Sequence, residues 1–332
     1  MPHPTLSIVV PVFNEEPVID ELRRQLVAVM DRLELPCEVI LVDDGSRDGG
    51  RRLLLEAAKA DDRFKLVLLS RNFGHQMAVS AGLDHARGDA VIIMDADLQD
   101  PPDVLPELVA RWREGYDVVY GVRTDRSSDS RFKRGTAHIF YRLLSRYSSF
   151  EIPMEAGDFR LVDRKVVDVV NLMPERNRFL RGMFSWVGYK QIGVEYTRQK
   201  RYAGKTKYTL GKMANFAADG IVNFSLAPLR LALNIGFVFV ALSLSAAVAA
   251  VGAKIFGFFT VPGWASLSVA VLLLGGMQLL TVGVIGEYVG RIYEEVKGRP
   301  LYLVSERIGF DPVADEPRGS ASDDRQPSSS PQ

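Results

Sequence analysis

Ala90-Val91-Ile92-Ile93-Met94-Asp95-Ala96-Asp97-Leu98-Gln99 sets five apolar residues directly before two carboxylates one residue apart. An unbroken apolar run rich in Val and Ile reads as a strand buried on both faces, and the acidic turn after it leaves the sheet at its carboxyl end. Working outward, Leu6 to Val12, Glu38 to Val42, Phe64 to Leu69 and Asp117 to Tyr120 have the same character. Between the strands lies helical periodicity. Val18, Leu22, Leu26, Val29 and Leu33 recur at three- and four-residue spacing, as do Val104, Leu105, Leu108, Val109 and Trp112 after a Pro101-Pro102 start. The alternation predicts an α/β fold with a doubly wound, mainly parallel, Rossmann-like sheet. Ligands of such sheets bind beyond the carboxyl ends of the strands. Asn14-Glu15, Asp43-Asp44-Gly45-Ser46, Arg71-Asn72 and Asp95-Ala96-Asp97 all fall there.

A chain of 332 residues has room for about two domains. With 47% hydrophobic and 25% charged residues, wholesale disorder and a wholly membrane-embedded transporter both fit badly. The 41 basic and 41 acidic side chains cancel, so net charge gives no support to a nucleic-acid partner and none is expected. Cys37, the single cysteine, cannot form an intrachain disulfide or a cysteine-rich metal site. It agrees with a reducing compartment and reads as a small buried hydrophobe.

Further along, the chain changes character. No charged side chain lies between Arg230 and Lys254, and Leu231 to Ala253 exceeds the ~20 apolar residues that span a bilayer as a helix. A second uncharged run, Ile255 to Gly286, is broken by Pro262-Gly263 and leaves Trp264 to Ile285 as a second span. A hairpin of two transmembrane helices over 231–286 is expected; a pair of buried core helices is the plainer alternative. Asn234, Gln278 and Thr281 would allow pairing in a homo-oligomer. Lys207, Lys212 and Arg230 precede the hairpin, and Arg291, Lys297 and Arg299 follow it, against Lys254 alone in the turn. The positive-inside rule then puts both termini and the large N-terminal part in the cytoplasm, and a multi-pass protein of the cytoplasmic (plasma) membrane is expected. Leu6 to Val12 is too short, and lacks the basic leader, for a cleavable signal. The expected order is a catalytic domain over 1–206, juxtamembrane amphipathic helices over 207–230, the hairpin, a cytoplasmic segment over 287–310 and a disordered polar tail over 311–332.

Asp95 and Asp97, with Gln99 nearby, offer hard oxygen ligands to one divalent ion, Mg²⁺ or Mn²⁺. A solvated acidic turn is the bland alternative for any Asp-x-Asp, but a position after a buried strand and beside Asp43-Asp44 favours the metal. Asp100 reads as a helix cap. No G-x-G-x-x-G follows the first strand and no P-loop occurs, so a nucleotide must be held by other means. Arg198, Lys200, Arg201, Lys205, Lys207 and Lys212 form an acid-free stretch that suits a phosphate clamp, attraction to anionic lipid, or both. Arg131 to Tyr147 fits an interfacial amphipathic helix and, almost equally, a core-packing helix with a basic face. Gly157-Asp158-Phe159-Arg160 precedes a strand-like run and would by default hold a structural salt bridge.

Taken as a set, Val10-Pro11-Val12-Phe13-Asn14-Glu15, Val42-Asp43-Asp44-Gly45-Ser46, Arg71-Asn72-Phe73-Gly74 and Asp95-Ala96-Asp97-Leu98-Gln99 resemble the family 2 glycosyltransferases. Within that family, Gly157-Asp158-Phe159-Arg160, Arg201-Tyr202-Ala203-Gly204-Lys205-Thr206-Lys207-Tyr208 and the terminal hairpin are similar to the polyprenyl-phosphate enzymes, relatives of dolichyl-phosphate mannose synthase and the bactoprenol glucosyltransferases. The resemblance covers nearly everything before residue 310. It implies an A-type nucleotide-sugar glycosyltransferase fold. The implied activity is inverting transfer of a hexose from a nucleotide-sugar to undecaprenyl or dolichyl phosphate at the cytoplasmic membrane face, for cell-envelope glycan modification. UDP-glucose is the family-weighted donor and a GDP-sugar the other.

By the same resemblance Pro11, Phe13, Glu15, Val42, Asp44, Asp95 and Ala96 would hold the nucleotide-sugar. Asp95, Asp97 and Gln99 would hold the metal, and Arg123, Arg201 and Lys207 would meet phosphates. Asp158, Asp97 and Arg160 would serve catalysis. Phe13 stands where many relatives have tyrosine and Thr206 where many have serine, and an acid at Asp158 favours the bacterial branch. A phosphate monoester with a second pKa near ~6 is mostly ionised at neutral pH, so Asp158 either deprotonates the acceptor or orients it. A processive polysaccharide synthase would bring a Q-x-x-R-W motif, which does not occur here; a membrane scaffold without enzymatic activity is the other rival.

Overall fold

Alternation of buried and amphipathic runs builds the sheet. The computed structural model describes residues 3–124, 156–199, 202, 227–256 and 264–310. The Arg131 to Tyr147 helix, most of the basic stretch, including Arg201 and Lys207, and the tail over 311–332 therefore lie outside the described residues. In chain order the elements are β1 (Leu6–Val12), α1 (Ile19–Leu33), β2 (Cys37–Asp43), α2 (Gly50–Ala60), β3 (Phe64–Leu69), α3 (His75–His85), β4 (Ala90–Ile93) and α4 (Leu105–Arg113). They continue as β5 (Val118–Arg123), β6 (Ala156–Asp163), α5 (Arg164–Leu172), α6 (Leu180–Trp186), β7 (Gln191–Tyr196), α7 (Ala227–Ile255), α8 (Trp264–Val296) and β8 (Val304–Ile308).

The sheet has eight strands in the order β7-β5-β6-β4-β1-β2-β3-β8. β1 pairs in parallel with β2 and β4, and β2 with β3, so the polar clusters after these strands share one edge. Every residue of β1 and β3 is buried, as a strand covered on both faces requires. β6 runs antiparallel between β4 and β5. That reversal matters: β6 begins at the edge where β4 and β5 end, which brings Gly157 and Asp158 to the polar clusters. The Gly157-Asp158-Phe159-Arg160 segment is thus part of a strand rather than the lead-in to one.

α1 buries Ile19, Leu22, Leu26, Val29 and Met30, close to the expected stripe. α3 has no such stripe, because Ala78 to Leu83 are all buried and its periodicity is lost. At Gly82 it packs directly on the sheet, where a Cβ would stand 2.2 Å from Val9 Cγ1. Cys37 opens β2 only partly buried, packed against the core, and burial pushes its thiol up to about 11.

The chain forms two compact units. The first comprises Met1–Tyr141, Phe150–Lys207 and Pro300–Gln332 and contains the whole sheet, closed at one side by β8 antiparallel to β3. The second comprises Arg142–Ser149 and Tyr208–Arg299 and contains α7 and α8. Among the described residues one helical stretch, Leu273–Val296, is long and apolar enough to cross a membrane, with a mean hydropathy of 1.3 and none of it buried. It reaches further toward the C-terminus than the expected Trp264 to Ile285.

Candidate active site

Three loops wrap one another at the carboxyl ends of β1, β2 and β3. Asp43 accepts from Ser46 N and Arg51 Nε, both at 2.9 Å. Asp44 accepts from Asn72 Nδ2 at 2.8 Å, Phe73 N at 2.7 Å and Gly74 N at 3.0 Å, so its buried carboxylate fixes the loop that starts α3. Burial raises the Asp44 carboxyl above the usual carboxylate range, against the pull of the Phe73 and Gly74 amides. Gly45 makes this contact possible. Its φ is +70°, and a Cβ there would lie 2.6 Å from the Arg71 carbonyl carbon and 2.7 Å from Asn72 N. Phe13, Asn14, Gly45, Arg47, Arg51, Ser70, Arg71 and Asn72 surround a polar cavity of about 470 Å³.

Beyond β4 the chain alternates. Ala96 and Leu98 turn into the core, which leaves Asp95 and Asp97 flanking Ala96 on the way out. Leu98 takes a left-handed φ of 55° and Gln99 N donates to Asp97 Oδ1 at 3.1 Å, so the turn is held in one strained shape. The register Ile93↔Arg160, carried two residues on, brings Asp158 level with Asp95. His75 Nε2, at the first residue of α3, lies 3.5 Å from Asp95 Oδ1 and 3.7 Å from Asp158 Oδ2. Arg181 Nε and Nη2 donate to the two Asp158 oxygens at 2.6 and 2.8 Å.

The charges explain the titration. Burial would lower His75, but Asp95 and Asp158 outweigh it and hold the imidazole up to about 9. Asp95 is pushed up to about 6 by burial and by Asp158, Asp100 and Asp97, against His75. Burial alone would raise Asp158 as well, yet the Arg181 guanidinium holds it well below the usual range.

Asp100 does not cap a helix as expected. The 3₁₀ turn over Pro102–Val104 has Pro101 at its cap, with no side-chain cap bond. Asp100 is instead buried, accepts from the Tyr196 hydroxyl, and faces Arg198 Nε at 3.8 Å and Arg123 Nη2 at 4.0 Å. A cap needs the carboxylate turned back on the helix amides; here it is drawn forward to two guanidiniums.

Of the residues expected to hold a nucleotide, Phe13 lines the cavity, whereas Pro11 and Val42 are buried within the strands and Ala96 within the core. Glu15 is half-buried just beyond β1. Arg160 is also buried, its Nη2 donating to Gly157 O at 2.7 Å and its guanidinium 4.9 Å from the Phe184 ring. His75 and Arg181 enter the site without having been expected. A His after Asn72-Phe73-Gly74 carried a position signal, at a strand's carboxyl end, but Arg181 carried none.

The donor set fits a divalent cation. Among the described residues no group of three or more His, Cys, Asp and Glu is arranged to hold a metal alone. Two carboxylates that share an excess of negative charge are what Mg²⁺ or Mn²⁺ uses when substrate phosphates and water fill the remaining positions.

The family model described as glycosyl transferase family 2 matches residues 7–170, which spans β1 to β6 and the carboxylate cluster. The uncharacterized glycosyltransferase YkcC of Bacillus subtilis is 48% identical over 309 residues, covering 93% of this chain and 96% of that one. The bactoprenol glucosyl transferase of Shigella phage SfII is 44% identical over 300 residues, covering 90% of this chain and 97% of that one. Among solved structures, glucosyl-3-phosphoglycerate synthase from Mycobacterium tuberculosis is 18% identical with a TM-score of 0.47, over 67% of this chain and 80% of that one. With these identities over nearly its full length, and with the family's sequence pattern laid along one sheet edge, the chain belongs to glycosyl transferase family 2.

Proposed function

We propose that this transferase moves a hexose, glucose from UDP-glucose, onto a polyprenyl phosphate at the cytoplasmic face of a membrane, with inversion at the anomeric carbon. The observation that carries the reading is the meeting of Asp95 and Asp158 at His75, with Asp97 two residues on, at the sheet edge that also carries a polar cavity and Arg123. The name of the phage relative supports the lipid acceptor.

The cavity favours uracil. Its acidic neighbours are already engaged, Asp43 by Arg51 and Ser46, Asp44 by the Asn72 loop. What remains includes the Arg47 and Arg71 donors, which would meet the carbonyl oxygens of a pyrimidine. Arg123, reaching from the end of β5, would meet the diphosphate, with Arg201 and Lys207 completing the phosphate contacts. Asp95 and Asp97, with Gln99, would hold Mg²⁺ or Mn²⁺, which when bound offsets the charge that builds on the departing nucleoside diphosphate. Asp158 orients the sugar rather than taking a proton, since the acceptor phosphate is already ionised. Arg160 braces the Gly157 carbonyl near the start of β6.

α7 and α8 would form a transmembrane hairpin. Leu233, Phe237, Leu244 and Val248 on α7, and Leu279, Leu280 and Val282 on α8, are more than half exposed in the absence of lipid. That anchoring would hold the chain at the membrane that carries the acceptor lipid, and self-association through Asn234 and Gln278 is compatible with it.

The test is nucleotide release from a panel of UDP- and GDP-sugars by the purified chain in detergent. UDP release that needs undecaprenyl phosphate, stops with EDTA and returns with Mn²⁺ is expected. Release indifferent to the lipid or to EDTA would refute the acceptor or the metal assignment.

A further inference from the structure

The Asp158 carboxylate is held by three separate elements. It extends from β6; Arg181 grips it from α6 with a two-pronged contact at 2.6 and 2.8 Å; His75 of α3 stands 3.7 Å away. α6 is itself fixed: Leu180 N donates to Gln76 Oε1 at 3.0 Å, and Phe184 lies beneath the Arg160 guanidinium. Two parallel N–H bonds to one carboxylate need the planar guanidinium fork, which lysine lacks.

Three roles are open to such a group. A carboxylate bound across a guanidinium is a weak base, and the acceptor proposed above needs none. A pair that only stabilised the fold would be a costly choice, because buried ion pairs seldom improve on apolar packing. This pair also stands level with Asp95, at the edge where the donor's diphosphate would lie. The third role follows from valence. The carboxylate has about four lone-pair directions; Arg181 takes two of them and His75 faces a third, which leaves one for a further donor. The side chain keeps 17% of its surface exposed, enough for a hydroxyl to reach it.

We propose that Arg181 is a positioning residue: its fork fixes the Asp158 carboxylate as the acceptor for a hydroxyl of the hexose carried by the donor, and His75 spans Asp158 and Asp95 so that sugar and diphosphate are aligned together. The inference rests on the transferase reading and adds to it the residues that distinguish the sugar from the nucleotide. Sugar discrimination then depends on a fixed acceptor, because a site built to bond a hydroxyl penalises a ligand that presents none there.

Calorimetric titration of the full chain in detergent with Mn²⁺ tests this, using UDP and UDP-glucose as paired ligands. In Arg181→Lys and Asp158→Asn the affinity for UDP should stay within about 2-fold, while the affinity ratio of UDP-glucose to UDP falls about 10-fold. Arg181→Lys should fail to rescue the ratio although it keeps the charge. Equal weakening of both ligands, which a merely structural pair would give, overturns the proposal, and so does an unchanged ratio. Asp158→Asn is nearly isosteric and answers the question if the Arg181 variant does not fold. A wild-type chain that binds neither ligand refutes the transferase reading itself, a different result from variants that bind both as the wild type does.

Discussion

Two carboxylates at the same sheet edge have opposite electrostatic fates. Asp95 is pushed up to about 6 because burial and three neighbouring acids outweigh His75, whereas Asp158 is held well below the usual range because Arg181 outweighs its burial. Asp97→Asn, which removes the charge of a proposed metal ligand without changing its size, should lower turnover at least ~100-fold and abolish the effect of Mn²⁺ on UDP affinity. A variant with wild-type turnover would remove Asp97 from the metal site. The depressed native pKa of Asp158 leaves the group ionised down to that value, so its stabilisation is present above the unfolded pKa and lost only as pH falls through the native one. Nothing in Asp158 titrates between pH 6 and 9. Asp158→Asn should therefore reduce the rate while leaving the pH–rate profile unchanged in shape, and loss of its acidic or basic limb would restore the base assignment. At this scale the sequence revealed residues that follow strands, such as Asp95 and Asp97. Partners supplied from elsewhere in the fold were hidden: Arg181 meets Asp158 only because α6 folds back beside β6.

Elements were legible where burial leaves a pattern. Continuous apolar runs marked β1 to β5, and the stripe of α1 was plain in the spacing of Leu22, Leu26 and Val29. α3 escaped because a helix buried all round has no periodicity to read. The orientation of β6 escaped too, since a strand's direction depends on what it pairs with. β8 is a short strand at the sheet's margin whose three central residues are all exposed, so the run Val304-Ser305-Glu306-Arg307-Ile308 offers little apolar signal. The loops also carry a testable constraint. Gly45→Ala forces a Cβ against the Arg71 and Asn72 backbone at a left-handed φ, and should cost roughly 1–3 kcal/mol while raising the KM for the donor several-fold. Thermal melting and donor kinetics on the one variant check both effects. A variant with unaltered KM would separate the cavity from the donor.

On the scale of the whole molecule the family match and the two units divide the work. Residues 7–170 carry the family pattern and lie in the sheet-bearing unit apart from the short stretch Arg142–Ser149, while α7 and α8 belong to the other. A stretch without charged residues between Arg230 and Lys254 contrasts sharply in sequence with the charged, sheet-bearing part of the chain. What composition left open was how much of each run forms a span, since the qualifying stretch Leu273–Val296 includes Glu287 and Arg291 and extends past the uncharged run. With the exposed apolar surface of both helices in lipid, the chain should stay in the pellet of a carbonate-washed membrane fraction and leave it only with detergent. Release by carbonate would contradict the hairpin. The mass of the acceptor gives the most direct test of transfer to a lipid phosphate. After incubation of the purified chain with UDP-glucose, Mn²⁺ and undecaprenyl phosphate, mass spectrometry of the extracted lipid should find one added hexose, absent with Asp97→Asn; UDP and free glucose appearing with the lipid unchanged would contradict transfer to a lipid phosphate.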